Sequence, residues 1–207
     1  MLDAGGLDAL WRIADELGIA PQSSLPVLWI ESGLQTTSHR SGADFYGLNQ
    51  ISGRWLRAAG VDPSDYLQWP AAEQLRRTVL PYWRWAGTYG AISDAATLMW
   101  AQLAPGSLSH ATNDSAVVFA APSQEYEANK WLDVAGDGAI TLGDLRIVTT
   151  HALHTSQVQS QLAAAAARRR APPATPVASR SDAGSIVVGV ALGLAAAAYA
   201  VHEGALG

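Results

Sequence analysis

Leu7, Leu10, Trp11, Ala14 and Leu17 recur at spacings of three, four and seven, which is one apolar face of a helix, and Gly18 supplies its stop. Ser23 and Ser24 can cap a second helix that runs through Trp29 and Ile30 and ends near Gly33. Ser52 to Ala59 reads as a third, with Gly60 behind it. Pro70 opens a long helical stretch through Trp85. Pro81 lacks an amide hydrogen and crowds the preceding turn, so it is expected to kink or break that stretch. Ser93 caps a further helix to about Leu103, ahead of Pro105. Thr141 and Asp144 form a capping-box pattern at the head of a helix running toward Leu162. Between residues 36 and 47 turn formers prevail, which predicts a loop or a small hairpin. No run of alternating strands appears, and the fold class expected is mainly α.

The pattern changes after residue 155. Leu162 to Ala171 is an alanine run closed by Arg168, Arg169 and Arg170. Ala171 to Asp182 is rich in Pro, Ser and Ala, as linkers are. Gly184 to Val201 then carries no charge over 18 residues. The chain therefore divides into a globular part, residues 1–155, a helical extension and linker, 156–183, and an apolar helix, 184–201.

Composition agrees with this division. All eight Trp and both Phe precede residue 132, and 16 of the 18 acidic residues lie in residues 1–160. A net charge of −5 argues against nucleic-acid binding, which draws its affinity from cationic neutralisation of phosphates. Cysteine is absent, which excludes a disulfide scaffold, a thiol nucleophile and Cys-ligated metal. A hydrophobic content of 49% excludes wholesale disorder. Met1 to Gly6 has neither basic residues nor an apolar run, so no secretory signal is read there.

Glu31 is the first candidate for chemistry. It follows Leu25-Pro26-Val27-Leu28-Trp29-Ile30 and precedes Ser32-Gly33, at the end of a helix predicted to be buried. An apolar wall disfavours the ionised carboxyl and raises its pKa, as a general acid for a glycosidic oxygen requires. The bland alternative is a solvated helix-terminal Glu. Fifteen residues on comes Tyr46-Gly47-Leu48-Asn49-Gln50-Ile51.

Glu31-Ser32-Gly33-Leu34 followed at this distance by Tyr46-Gly47-Leu48-Asn49-Gln50-Ile51 resembles the lysozyme-like lytic transglycosylase family. Ala96 to Pro105 looks like the helix that reaches a cleft-side Pro in its bacteriophage relatives, and the resemblance spans roughly residues 6–150. It implies a lysozyme-like helical domain with a small loop or hairpin region. It implies Glu31 as catalytic acid/base, with Ser32, Tyr46, Asn49, Gln50 and Gln102 beside the glycan. The family's Ala-Tyr-Asn-Ala-Gly motif is missing, and Gln102 stands in a helix–Pro context instead. The implied reaction cuts the MurNAc–GlcNAc bond of peptidoglycan with one Glu, forms a 1,6-anhydro product and requires no cofactor. Two-carboxylate glycosidases need a partner acid. Asp44 is the carboxylate close in sequence, and water positioned by it would give hydrolysis instead. Trp55, Trp69, Trp83 and Trp85 are candidates for stacking on sugars, though helix-spaced aromatics are more often core.

Asp133 to Asp144 follows the 12-residue calcium-loop pattern, with Asp133, Asp137, Gly138, Ile140, Thr141 and Asp144 in register. Ala135 lacks the third-position ligand and Asp144 is shorter than the usual Glu. A structural Ca²⁺ would rest on Asp133, Asp137, the Ala139 carbonyl, Thr141 and Asp144. His151 and His154 sit one helical turn apart with no third ligand near in sequence, which gives zinc little support.

As a helix, residues 184–201 would span about 27 Å, near the thickness of a bilayer core. Gly189 and Gly193, continued by Ala196 and Ala200, suit close helix–helix packing. Arg168–Arg170 and Arg180 would keep the preceding domain cytoplasmic, away from peptidoglycan. A phage virion component resolves that conflict, acting from outside at the cell envelope, with glycan strands as substrate. Other virion proteins, the host membrane and further copies of the chain are the partners expected for the tail. The alternatives are a structural or ejection-type virion protein with an inactive lysozyme-like scaffold, a muramidase, and a bacterial membrane-tethered wall-remodelling enzyme.

Overall fold

Asp3 starts the first helix by accepting the Gly6 N–H at 2.7 Å. In the computed structural model, which describes residues 1–39 and 42–170, α1 (Ala4–Leu17) ends at a left-handed Gly18. The face predicted from spacing is the buried one, with Leu7, Leu10, Ile13 and Ala14 turned inward. A 3₁₀ turn (Pro21–Ser23) leads into α2 (Ser24–Ser32), which Gly33 closes, also left-handed. Leu25, Val27 and Leu28 are fully enclosed, and α2 packs against α1, α7, α9 and α10. A helix apolar around most of its circumference belongs in an interior, and α2 is the central helix of this one.

The hairpin is shorter and later than the turn formers suggest. β1 (Phe45–Tyr46) pairs with β2 (Ile51–Ser52), so Gly47–Gln50 is the connection between two strands. Ser52 caps α3 (Gly53–Ala58), and Asp62 caps α4 (Pro63–Gln68), a short helix that the periodicity did not reveal.

Pro81 does not break its helix. α5 (Ala71–Gln74), a π-helical turn (Leu75–Val79) and α6 (Leu80–Ala86) follow without interruption. The wider i→i+5 turn just ahead of Pro81 takes up the space its ring needs and tolerates its missing donor. The cap of α7 (Ala95–Leu103) is Asp94 rather than Ser93. Asp94 accepts the Thr97 N–H at 2.8 Å, and the Thr97 hydroxyl accepts the Asp94 N–H at 3.0 Å.

Another 3₁₀ turn (Pro105–His110) precedes β3 (Val117–Ala120), α8 (Gln124–Asn129) and β4 (Ala139–Thr141), with β3 and β4 antiparallel. The helix expected to run toward Leu162 is two helices, α9 (Leu142–Leu153) and α10 (Ser156–Arg170). Between them the Thr155 hydroxyl donates to Ala152 O and accepts the Val158 N–H, offering the backbone a local alternative to helix. α10 packs on α1, α2 and α9, burying Val158, Gln161 and Ala165. The Leu2 N–H donates to Gln161 Oε1 at 3.0 Å, and Arg168 pairs with Asp8 at 2.7 Å. Residues 156–170 are thus joined to the folded unit and do not form an appendage to a domain ending at 155.

The fold is mainly α, as the sequence predicts. Its core divides in two. The large cluster joins α1, α2, α5–α7, α9 and α10, and a small one gathers Ile51, Leu56 and Tyr66 under the hairpin. The linker and the apolar segment 184–201 lie outside the described residues. Among the described residues no helix is long and apolar enough to cross a membrane.

Candidate active site

The Tyr46–Ile51 segment is the seam between the two cores. Leu48 belongs to the large cluster and Ile51, three residues on, to the small one. Two residues of the connection are left-handed, Gly47 at φ 70° and Gln50 at φ 46°. At Gly47 a side chain has no room, since a Cβ would lie 2.5 Å from Tyr66 Cε1 and 2.6 Å from Gln74 Oε1. Gln50 holds a conformation unfavourable to a residue with a side chain, and such strain persists only where the surroundings impose it.

Three amides impose it. Gln50 Nε2 reaches back to Gly47 O at 2.9 Å and to Ser38 Oγ at 3.2 Å. Gln102, from the last turn of α7, donates to Asn49 O at 2.6 Å and accepts the Trp83 indole N–H at 2.9 Å. Gln74, fully buried, accepts the Leu48 N–H at 3.0 Å and donates to Thr36 O at 2.9 Å and Tyr66 O at 3.0 Å. Sequence reasoning missed Gln74. With Glu73, Arg76 and Arg77 beside it, no local signal marks it as buried.

Glu31 is half-buried in the last turn of α2. The loop after it is fastened at both ends: the Gln35 N–H donates to Ser32 O at 3.3 Å, and Ser38 O accepts the Gly47 N–H at 2.7 Å. The end of α2, the 33–38 loop, the Gly47–Gln50 turn and the end of α7 are therefore one hydrogen-bonded assembly. The sequence-predicted residues have different places in it. Asn49, Gln50 and Gln102 come together. The Ser32 hydroxyl is turned away, donating to Leu28 O at 3.0 Å within its own helix, and its side chain is buried. Asn49 is fully buried, and neither atom of its side-chain amide has a protein partner. Two surface hollows among the described residues, one at Glu16–Arg84–Ile92 and the other at Arg146–His151, include none of these residues.

Asp44 is the carboxylate that water-assisted hydrolysis would call on. It pairs with Arg57 at 2.7 Å, and that guanidinium is the main cause holding its carboxyl below the ordinary range, with lesser help from Tyr46 and the Arg54 amide. The Tyr46 phenol is pushed up by partial burial first and then by its bond to Asp44. Its ring stacks on His39, centroids 4.5 Å apart and nearly parallel.

The four candidate tryptophans separate clearly. Trp83 is core. Trp69 lies edge-on to Tyr66 with the Arg77 guanidinium 4.2 Å from its centroid. Trp55 and Trp85 flank the half-buried Tyr82, whose hydroxyl donates to Gln102 O at 3.1 Å.

In the loop from Asp133 to Asp144 the oxygens expected to hold calcium accept hydrogen bonds from the protein. Asp144 is buried, and both its carboxylate oxygens accept backbone N–H groups: Oδ1 from Val134 and Ala135, Oδ2 from Thr141. Asp133 accepts from Gly136, Asp137 and Gly138 and from the Tyr126 hydroxyl. Asp137 accepts the Ala139 N–H at 3.1 Å, Ala139 is drawn into β4, and Thr141 caps α9. Ca²⁺ asks for six to eight oxygens, and these already serve N–H and O–H donors. Among the described residues no group of three or more His, Cys, Asp or Glu is gathered as for a metal ion.

No family model, curated protein or solved structure matches the chain.

Proposed function

We propose that this chain is a lysozyme-like lytic transglycosylase that cuts the MurNAc–GlcNAc bond of peptidoglycan, carried in a phage particle for local opening of the cell wall. The observation that carries the reading is the assembly that ties the end of α2, with Glu31, to the strained Gly47–Gln50 turn and to Gln102, 53 positions from Asn49 in sequence. Strained backbone and buried amides without partners concentrate at functional sites, and here they fall on the segment that the resemblance singles out.

In the reaction, the protonated Glu31 carboxyl gives its proton to the glycosidic oxygen as the bond from that oxygen to the anomeric carbon breaks. The GlcNAc side leaves as an alcohol. The Glu31 carboxylate then takes the proton of the MurNAc 6-hydroxyl while its oxygen closes on the anomeric carbon. Glu31 ends protonated, ready for the next bond, and no water is consumed. The pairing of Asp44 with Arg57 favours this single-carboxylate course over hydrolysis. Delivery in a virion and engagement of a membrane or of other virion proteins by residues 184–201 belong to the same proposal.

One observation favours an inactive scaffold instead: Ser32 and Gln50 spend their polar atoms inside the protein. Digestion of purified sacculi separates the two. An enzyme releases muropeptides that Glu31→Gln does not, whereas a scaffold releases none in either form.

A further inference from the structure

Residues 111–141 include none of the seam's side chains. β3 pairs with β4, and α8 packs on β3 and on a 3₁₀ turn (Lys130–Leu132). Five carboxylates and one cation, Lys130, give this stretch a net charge of −4, against −5 for the whole chain. Lys130 pairs with Glu127 at 3.2 Å, and Asp114 with Arg146 at 3.1 Å. Among the described residues no cation pairs with Glu125, Asp133 or Asp137. The Asp137 N–H donates to Asp133 Oδ1 at 3.3 Å, which keeps those two residues together. Three of the seven large apolar side chains exposed among the described residues are also here: Val117, Trp131 and Val134. Trp131 is 55% exposed, the most of any Trp. Guanidinium groups lie over Trp69 at 4.2 Å and over Trp11 at 4.8 Å, whereas among the described residues no cation lies over Trp131. Val134 and Val117 are joined through Asp144. Its Oδ1 accepts the Val134 N–H at 3.1 Å, and its Oδ2 accepts at 2.9 Å the N–H of Thr141, which stands opposite Val117 in the ladder.

We propose that this lobe docks an arginine- or lysine-bearing segment of another protein, with Trp131 as the anchor. The inference does not depend on the proposed reaction, because the two use different residues. Charge selects the partner. A surface with this excess of carboxylates repels nucleic acid, anionic lipid and acidic polymers, and it attracts a cationic chain from a distance. The open face of Trp131 is where a guanidinium or ammonium settles, since the ring quadrupole is negative there. A small cation alone would engage the carboxylates and leave Trp131 and the two valines in water. A polypeptide brings apolar groups for these as well as charge. Trp is among the side chains that carry most of the binding energy at interfaces, because it gives up a large area to water-free contact. A second copy of the chain is a poor occupant in a two-fold arrangement, which sets the same patch against itself and so brings one −4 lobe against another.

The test uses the full chain and a fluorescein-labelled amphipathic peptide of Arg and Leu, followed by anisotropy, beside a counterpart with Glu in place of Arg. The Arg peptide should bind, less tightly as salt rises, and the Glu peptide should not. Trp131→Ala should weaken binding about tenfold or more. Glu125→Gln combined with Asp137→Asn, which keeps an acceptor for the Ala139 N–H, should slow association and flatten the salt dependence. Val134→Ser, at a second exposed position, decides the matter if Trp131→Ala melts early. Unchanged affinity in folded Trp131→Ala and Val134→Ser overturns the proposal, as does equal binding of the Glu peptide. Concentration-dependent association of the chain that Trp131→Ala abolishes, with no binding of the Arg peptide, overturns it in favour of a second copy. Release of muropeptides from sacculi should be the same in Trp131→Ala as in the parent. Peptide binding that depends on Trp131, in a chain that releases nothing, defeats the enzyme and leaves the docking surface.

Discussion

Asn49 puts the residue-scale account to its sharpest test. Its amide is fully enclosed with no protein partner, and an unpaired buried polar group costs about 1–3 kcal/mol. Replacing it by an apolar side chain of similar shape removes that cost. Asn49→Leu is therefore expected to raise the melting temperature by a few degrees, about 2–4 °C per kcal/mol in a chain of this size. If the Asn49 side chain shapes the turn for the glycan, the same variant loses cleavage, and calorimetry beside muropeptide release reads both effects. Gly47 gives the opposite case. A methyl group there meets Tyr66 and Gln74 and must also adopt φ 70°, so Gly47→Ala should destabilise by about 2 kcal/mol or more, seen as a lower urea midpoint. Gly47 and Gln50 were legible because they fall in a motif. Gln74 was not, because nothing local distinguishes a glutamine that binds Leu48, 26 positions away, from one that faces water.

At the scale of elements, short-range signals were legible and long-range ones were not. The Thr141–Asp144 capping box and the stops at Gly18 and Gly33 depend on residues within one turn, and the structure contains them as predicted. The β3–β4 pairing joins residues about 20 apart and has no alternating pattern to announce it. Pro81 was read by the usual rule, but the π turn before it reconciles the ring with a continuous helix. The calcium pattern is a case of a spacing that persists while its oxygens have other employment. Adding calcium or a chelator is accordingly expected to leave the melting temperature of the protein unchanged. Asp94 carries a prediction about acid. Burial pushes its carboxyl up, yet the bonds from Thr97 and Arg146 outweigh this and leave it below the ordinary value. Its contribution is thus complete above the unfolded value near 3.8 and fades as pH falls through the lower folded value. Asp94→Asn keeps a cap acceptor but loses the pairing with Arg146, so its melting temperature should fall less steeply than that of the parent below about pH 4.

For the molecule as a whole, the frame is a central apolar helix with a second, smaller core attached through a strained turn. α10 belongs to that frame, since Val158, Gln161 and Ala165 are buried against it. Ending the chain at Thr155 strips this cover and should cost about 3 kcal/mol, a drop on the order of 10 °C. An activity lost on truncation at 155 would therefore report on folding before chemistry. The measurement that bears most directly on the central claim is mass spectrometry of the muropeptides that the full chain and its Glu31→Gln variant release from purified sacculi. The account predicts 1,6-anhydro-MurNAc ends from the parent and none from a variant that melts at the same temperature. Reducing ends, or equal release by the two, would contradict it.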